Sequence, residues 1–167
     1  MEWDEALANK KDDKTRKEFE KWAVLTYSNN KAIINEKKGS DAGIDGIAYM
    51  ADRNDKNEIE MKQVLFSVKS DKNPHVFYIR DFYGAIERDK AAMGYFITLY
   101  PPTKDMVSEC KKLGKYKNQL VDTEYPKIEI VTVEDILATK RITIPMSHQI
   151  EVVKSAKQKS TEQEPLF

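Results

Sequence analysis

Cysteine, histidine and long apolar runs are what this sequence has least of. Its 167 residues contain one cysteine, Cys110, and two histidines, His75 and His148. One thiol forms no internal disulfide, so the fold must hold by burial, and a reducing cytoplasm is the default setting. Three Cys and His residues are too few for an ordinary zinc centre. No apolar stretch approaches the ~18 residues of a membrane span. The opening MEWDEALANKKDDK alternates acidic, basic and polar residues, and no signal peptide fits it. Excess charge is missing as well. Lys plus Arg and Asp plus Glu both number 28, for a net charge of zero. That excludes coating of nucleic acid by bulk charge. It leaves room for a local basic surface, with modest, salt-sensitive affinity and targeting supplied by other domains or chains.

What is present is a soluble, well-charged chain, 40% hydrophobic and 34% charged, of a length that suits one domain with a real core. Thr15 to Glu18 has the form of a capping box. It predicts a helix to about Tyr27 with Phe19, Trp22, Ala23 and Thr26 inward. Ile33 and Ile34 suit a short strand. Two strands follow, at 44–50 and 60–69, joined by the polar turn ADRNDKNEIE. Val64, Phe66 and Val68 form one face of the second strand, and Leu65, Ser67 and Lys69 the other. Next come a turn at 71–74 and a helix over 79–91 with Ile79, Phe82, Tyr83 and Ile86 inward. A buried strand at 93–100 stops at Pro101 and Pro102. Thr103 should cap a helix to about Lys112, with Met106, Val107 and Cys110 inward. Residues 113–126 read as a long polar loop, and the lysine run KKLGKYKNQ at 111–119 reads as solvated. A strand at 127–131 leads into a short helix capped by Thr132, with Asp135 at its third position. RITIP at 141–145 suits a last extended piece, and the rest reads as a polar tail. A hairpin followed by βαβα units implies an α/β fold: a mixed central β-sheet with helices on both faces. There is no internal repeat.

The chemistry concentrates between Lys37 and Lys72. Turning the hairpin about Asp55 or Lys56 puts Asp45 opposite Leu65 or Ser67. Residues directly opposite share a face with Cβ atoms about 5 Å apart, so Asp45, Ser67 and Lys69 could converge. Gly39, Gly43 and Gly46 punctuate the approach. They open no helix, so they are no dinucleotide fingerprint, and they suit a close approach of backbone and ligand. Asp45 is the candidate metal ligand. Asp41, before Ala-Gly, suits a turn. Lys69 could orient an attacking water and stabilise charge on a pentavalent phosphorus. Glu20 could complete a magnesium shell directly or through water, while Glu18 suits the capping box. An acid that holds a metal beside a lysine points to phosphodiester hydrolysis. His75 and His148 fall in or near loops without a nucleophile partner.

GSDAGIDGIAYM followed by VLFSVKS resembles the PD-(D/E)xK nuclease superfamily, in its Mrr-type restriction endonuclease branch. The matching elements are Phe19-Glu20 on a helix, Gly43-Ile44-Asp45 at a strand start, and Ser67-Val68-Lys69 at a strand end. The helix from Ile79 and the strand pair Ile97-Thr98 follow in order. RDFYGAIERDKAAMGYFITLYPPTK and YPKIEIVTVEDILATKRI also resemble the nuclease-like segment at the C-terminus of some bacterial DNA methyltransferases. The resemblance covers about 15–145, leaving 1–14 as an N-terminal extension and 146–167 as a polar tail. It implies a restriction-endonuclease-like core and Mg²⁺-dependent DNA cleavage, with Mn²⁺ as substitute. Asp45 would hold the metal, Lys69 would be the catalytic lysine and Glu20 the supporting acid. One position departs from the pattern. Ser67 stands where the pattern normally carries Glu, Asp or, in this branch, Gln, which should lower metal affinity, although the Val68 carbonyl could still bind.

Two functions remain open from the sequence: a restriction-type endonuclease, or a catalytically weak DNA-binding module acting with, or appended to, a methyltransferase. Lys37, Lys38, Lys72 and Arg80 flank the site as candidate phosphate contacts on double-stranded DNA. A homodimer would suit the cutting of both strands. The terminal Gln163-Glu164-Pro165-Leu166-Phe167 resembles tails that dock on bacterial sliding clamps.

Overall fold

A computed structural model describes residues 13–36 and 43–145. Its frame is a five-stranded mixed sheet in the order β1-β2-β3-β4-β7. The strands are β1 (Ile33–Ile34), β2 (Gly46–Arg53), β3 (Ile59–Lys69), β4 (Met93–Thr98) and β7 (Ile128–Thr132). β1, β2 and β3 pair antiparallel. β3, β4 and β7 run parallel, which requires crossover connections. Helix α2 (Val76–Arg88) makes the first crossover, and α3 (Lys104–Lys112) begins the second. Helix α1 (Asp13–Tyr27) precedes the sheet and α4 (Val133–Leu137) follows it.

Alternation along the strands separates two cores. On one face Ala48, Met50, Val64, Phe66, Val68, Met93, Tyr95, Ile97 and Val131 meet Phe19, Ala23, Val24 and Tyr27 of α1 and Val133 and Ile136 around α4. On the other, Leu65, Phe96 and Ile128 meet Ile79, Phe82 and Ile86 of α2 and Met106 of α3. The sheet is mixed and covered on both faces, as the order of elements implies. The hairpin turns at Lys56: Asp52 pairs with Glu60 and Arg53 with Ile59. Asn54 ties this turn, its side-chain oxygen accepting the amides of Lys56 and Glu58.

Several expectations need correction. Helix α1 already includes Asp13 and Lys14, so Thr15 lies within its first turn and is not the cap. Its buried stripe is Phe19, Ala23, Val24 and Tyr27, with Trp22 and Thr26 only partly covered. Helix α2 starts three residues early at Val76, and Ala85 is buried where Tyr83 is only partly covered. Val107 is 37% exposed instead of inward. Residues 113–126 are no loop: β5 (Lys115–Asn118) and β6 (Thr123–Pro126) form a separate antiparallel ribbon. Buried polar contacts hold it. The Tyr116 hydroxyl donates to Asp52, the Gln119 amide donates to the same carboxylate at 2.7 Å, and the Asn118 side chain donates to the Ala51 carbonyl at 2.8 Å. Residues 141–145 form no strand, yet Ile142 and Ile144 seal the α1 face, anchored by Ile142 N to Tyr27 O and Ala51 N to Pro145 O. The caps at Thr103 and Thr132 are as expected. Thr103 accepts the Met106 amide at 3.1 Å. Thr132 and Asp135 exchange both bonds of a capping box at 3.0 Å.

Candidate active site

β2 begins at Gly46, one residue after Asp45. Continuing the ladder from the Gly46–Phe66 pair places Asp45 opposite Ser67. Here the backbone ladder gives way to a side chain: the Asp45 amide donates to the Phe66 carbonyl at 2.7 Å, and Asp45 Oδ2 accepts the Val68 amide at 2.7 Å. The carboxylate thus stands in for a missing strand partner at the end of β3. Asn35 braces the approach, donating its side chain to the Ile44 carbonyl at 2.8 Å and its amide to the Asp45 carbonyl at 2.9 Å.

Two glycines shape the site. Gly43 adopts φ +77°, a left-handed conformation that costs other residues strain. A Cβ built there would lie 3.6 Å from Lys69 Nζ and 3.8 Å from Ser67 Oγ. The ammonium and the hydroxyl therefore face the bend before Asp45. At Gly46 a Cβ would come within 2.7 Å of Val24 Cγ1, so the missing side chain lets α1 settle onto the sheet. Glu20 lies one turn before Val24 on the same helix. The close packing brings its carboxyl within hydrogen-bonding reach of Asp45.

The electrostatics follow from this meeting. Burial pushes the Asp45 carboxyl up to about 7, and the facing Glu20 carboxylate adds to the rise. The Val68 amide and the Lys69 ammonium oppose it. Burial also raises Glu20, against Arg16, Asp45, Lys69 and Lys17. Arg16 Nε sits 3.8 Å from Glu20. Two desolvated acids that hydrogen-bond each other beside one lysine hold a proton more readily than an isolated carboxylate does.

Val68 donates its amide toward Asp45, while the next residue, Lys69, accepts Leu99 N on the β4 side. Successive residues of a strand send their polar groups to opposite edges, so the Val68 carbonyl leaves on the Asp45 edge. Lys69 ends β3 beside Thr98 of β4, whose buried hydroxyl has no hydrogen-bond partner among the described residues. Ser67 is 2% exposed. Glu20, Asp45, Ser67, Val68 and Lys69 therefore gather at one end of the sheet. Lys72 is exposed in the β3–α2 connection, and Arg80 pairs with Glu109 at 3.1 Å. Among the described residues no group of three or more His, Cys, Asp and Glu could hold a metal ion. His75 is exposed ahead of α2, with its ring at the edge of Tyr78. Lys37, Lys38, Asp41, His148 and residues 163–167 lie outside the described residues. Asn35 and Tyr78, both in contact with the site, carry no sequence signal: neither belongs to a spacing pattern.

A family model described as a restriction endonuclease, Mrr_cat, matches residues 12–136. The chain belongs to the Mrr_cat restriction endonuclease family. The match spans every element from α1 into α4, and the family supports a nuclease-type function. Among solved structures, the Mrr_cat chain is similar to the DNA modification-dependent restriction endonuclease AspBHI, with a TM-score of 0.54 at 15% identity. The alignment covers 82% of this chain and 34% of that one, so the chain spans about a third of that enzyme's length. At this identity the likeness establishes the restriction-endonuclease-like fold. A comparison with curated proteins gives no match. Among the described residues no helix is long and apolar enough to cross a membrane.

Proposed function

We propose that this chain is a divalent-metal-dependent DNA endonuclease of restriction type, hydrolysing phosphodiester bonds at the Asp45–Lys69 end of the sheet. The observation that carries the reading is the Asp45 carboxylate, fixed on the Val68 amide at 2.7 Å, with the Lys69 ammonium facing the Gly43 bend that leads into it; burial and the neighbouring Glu20 carboxyl raise the Asp45 pKa, as a shared acid site would. The donor set suits Mg²⁺. Asp45 and Glu20 offer hard oxygens, and the Val68 carbonyl and Ser67 hydroxyl lie on the same edge. The raised carboxyls also fit, because a bound cation would offset the burial that raises them. Asp45, Glu20 and Val68 would hold the ion, with Mn²⁺ as substitute. When bound it would polarise the phosphoryl group and acidify a water. Lys69 orients the attacking water and stabilises the charge that builds on the phosphoryl oxygens. Gly43, lacking a side chain, leaves room for the backbone phosphate. Lys72, Arg80, Lys37 and Lys38 would contact flanking phosphates of double-stranded DNA.

Plasmid nicking with Mg²⁺ or Mn²⁺ tests the assignment against Lys69→Ala and Asp45→Ala, on modified and unmodified DNA. Both variants should lose nicking. Equal nicking by all three proteins would remove the chemistry assigned here.

Ser67 and the lack of a third acidic ligand among the described residues support a second reading: a catalytically weak DNA-binding module acting with, or appended to, a methyltransferase. Saturable Mn²⁺ uptake by calorimetry, lost in Asp45→Asn, favours the enzyme, and no uptake favours the module. Docking of residues 163–167 on a sliding clamp is a further proposal. A clamp pull-down unchanged by deleting them would dismiss it. Sedimentation with and without DNA would reveal a homodimer.

A further inference from the structure

Tyr78, in the first turn of α2, presents its ring to Lys69, with Nζ 4.6 Å from the ring centroid. We propose that Tyr78 is a positioning residue that clamps the Lys69 ammonium over the bend at Gly43, in the role an ion-pair partner would otherwise take. Its catalytic consequence rests on the nuclease reading above; the clamp itself does not.

The ring is fixed from its far side. The Tyr78 hydroxyl donates to Asp71 Oδ2 at 2.6 Å, and the His75 ring meets Tyr78 edge-on with centroids 6.0 Å apart. The Tyr78 amide donates to the His75 carbonyl at 3.0 Å, which turns the chain from the end of β3 back over its last side chain. The ammonium is thereby directed at Gly43, the bend that leads into Asp45.

The choice of a ring has a chemical reason. A lysine at a strand end has a flexible stem and ordinarily reaches solvent or a carboxylate. A carboxylate would hold it but would also neutralise it and compete with a phosphate. An aromatic face attracts the cation through its quadrupole and leaves the charge in place. The ring carries no negative charge to compete with a phosphate for the ammonium's donors. Asp71 lies two residues beyond Lys69 and is the nearest acid in sequence. The Tyr78 phenol engages that carboxylate, and among the described residues Lys69 forms no ion pair. One side chain thus both holds the ammonium and occupies its competitor.

The test compares Tyr78→Phe, which keeps the ring, with Tyr78→Leu, which removes it. In the NMR spectrum of the metal-free protein, the ring current should shift the Lys69 ε-methylene signal upfield of the other lysines. The Lys69→Arg variant assigns that signal. The shift should persist in Tyr78→Phe and vanish in Tyr78→Leu. In plasmid cleavage, Tyr78→Leu should lower kcat about tenfold at unchanged KM, with Tyr78→Phe restoring it. Tyr78→Gln carries the same expectation should the leucine variant fold poorly. An unshifted Lys69 signal in the wild type, or wild-type kcat in the ring-less variants, overturns the clamp. A wild-type protein that cuts no DNA under any metal overturns the nuclease reading instead, and the NMR comparison still decides the clamp.

Discussion

Ser67 is the residue on which metal affinity turns. It occupies a buried place opposite Asp45, and its hydroxyl contributes no charge. Replacing it by Asp would put a third carboxylate beside Asp45 and Glu20. Affinity for hard cations rises with ligand charge, so Ser67→Asp should bind Mn²⁺ about tenfold more tightly by calorimetry. The same change should lower the metal-free melting temperature, because like charges then crowd a desolvated site. Unchanged Mn²⁺ affinity with an unchanged melting temperature would mean that the new carboxylate points away from the pair. Ser67 and Lys69 were legible in the sequence because period two puts them on one face. Glu20 was legible only as a candidate. An exposed helix charge and an acid that reaches a strand end share the same spacing, and the packing of α1 separates them.

At the scale of elements, Gly46 and Asp52 mark the two ends of β2 and do different work. Gly46 admits Val24. Gly46→Ala should destabilise the protein by about 1–3 kcal/mol through overpacking and weaken Mn²⁺ uptake as Glu20 moves with α1. Adding Val24→Ala should restore much of both, read by denaturant titration and calorimetry. Asp52, 1% exposed, anchors the β5–β6 ribbon. Burial alone would raise its pKa, but hydrogen bonds from Tyr116 and from the Arg53 and Gln119 amides, with Lys62 nearby, hold it below the usual carboxylate range. A depressed pKa means that the folded state favours the ion. Its contribution is complete above the unfolded value of about 3.9 and is lost as pH falls through the lower folded value. Asp52→Asn should therefore flatten the acid limb of stability below about pH 4 and lower stability at neutral pH. An unchanged acid limb in pH-dependent melting would dismiss this anchor. The ribbon itself was not legible. KYKN and TEYP are short, polar and lysine-rich, and what makes them strands is a buried aspartate more than sixty residues upstream.

Across the described residues, one sheet serves two cores, and the candidate site lies at the end of the sheet where β2 starts and β3 ends. Net charge is zero, so the proposed DNA binding would rest on a few local cations. If Lys69, Lys72, Arg80, Lys37 and Lys38 each meet a phosphate, the slope of log K against log salt should be about −4 to −5. A much steeper slope in a salt titration would locate the binding surface elsewhere. The sequence by itself narrowed the hairpin to a turn at Asp55 or Lys56, with the structure choosing Lys56, and it determined the two faces of β3 and the caps at Thr103 and Thr132. Each is set by neighbours within a few residues or by strand alternation, and local sterics and hydrogen bonding suffice. Only the tertiary structure decided that Glu20 meets Asp45, that Tyr78 covers Lys69 and that residues 115–126 pair. These contacts join elements whose mutual placement depends on how side chains fill the space between layers, and no periodicity along the chain encodes that.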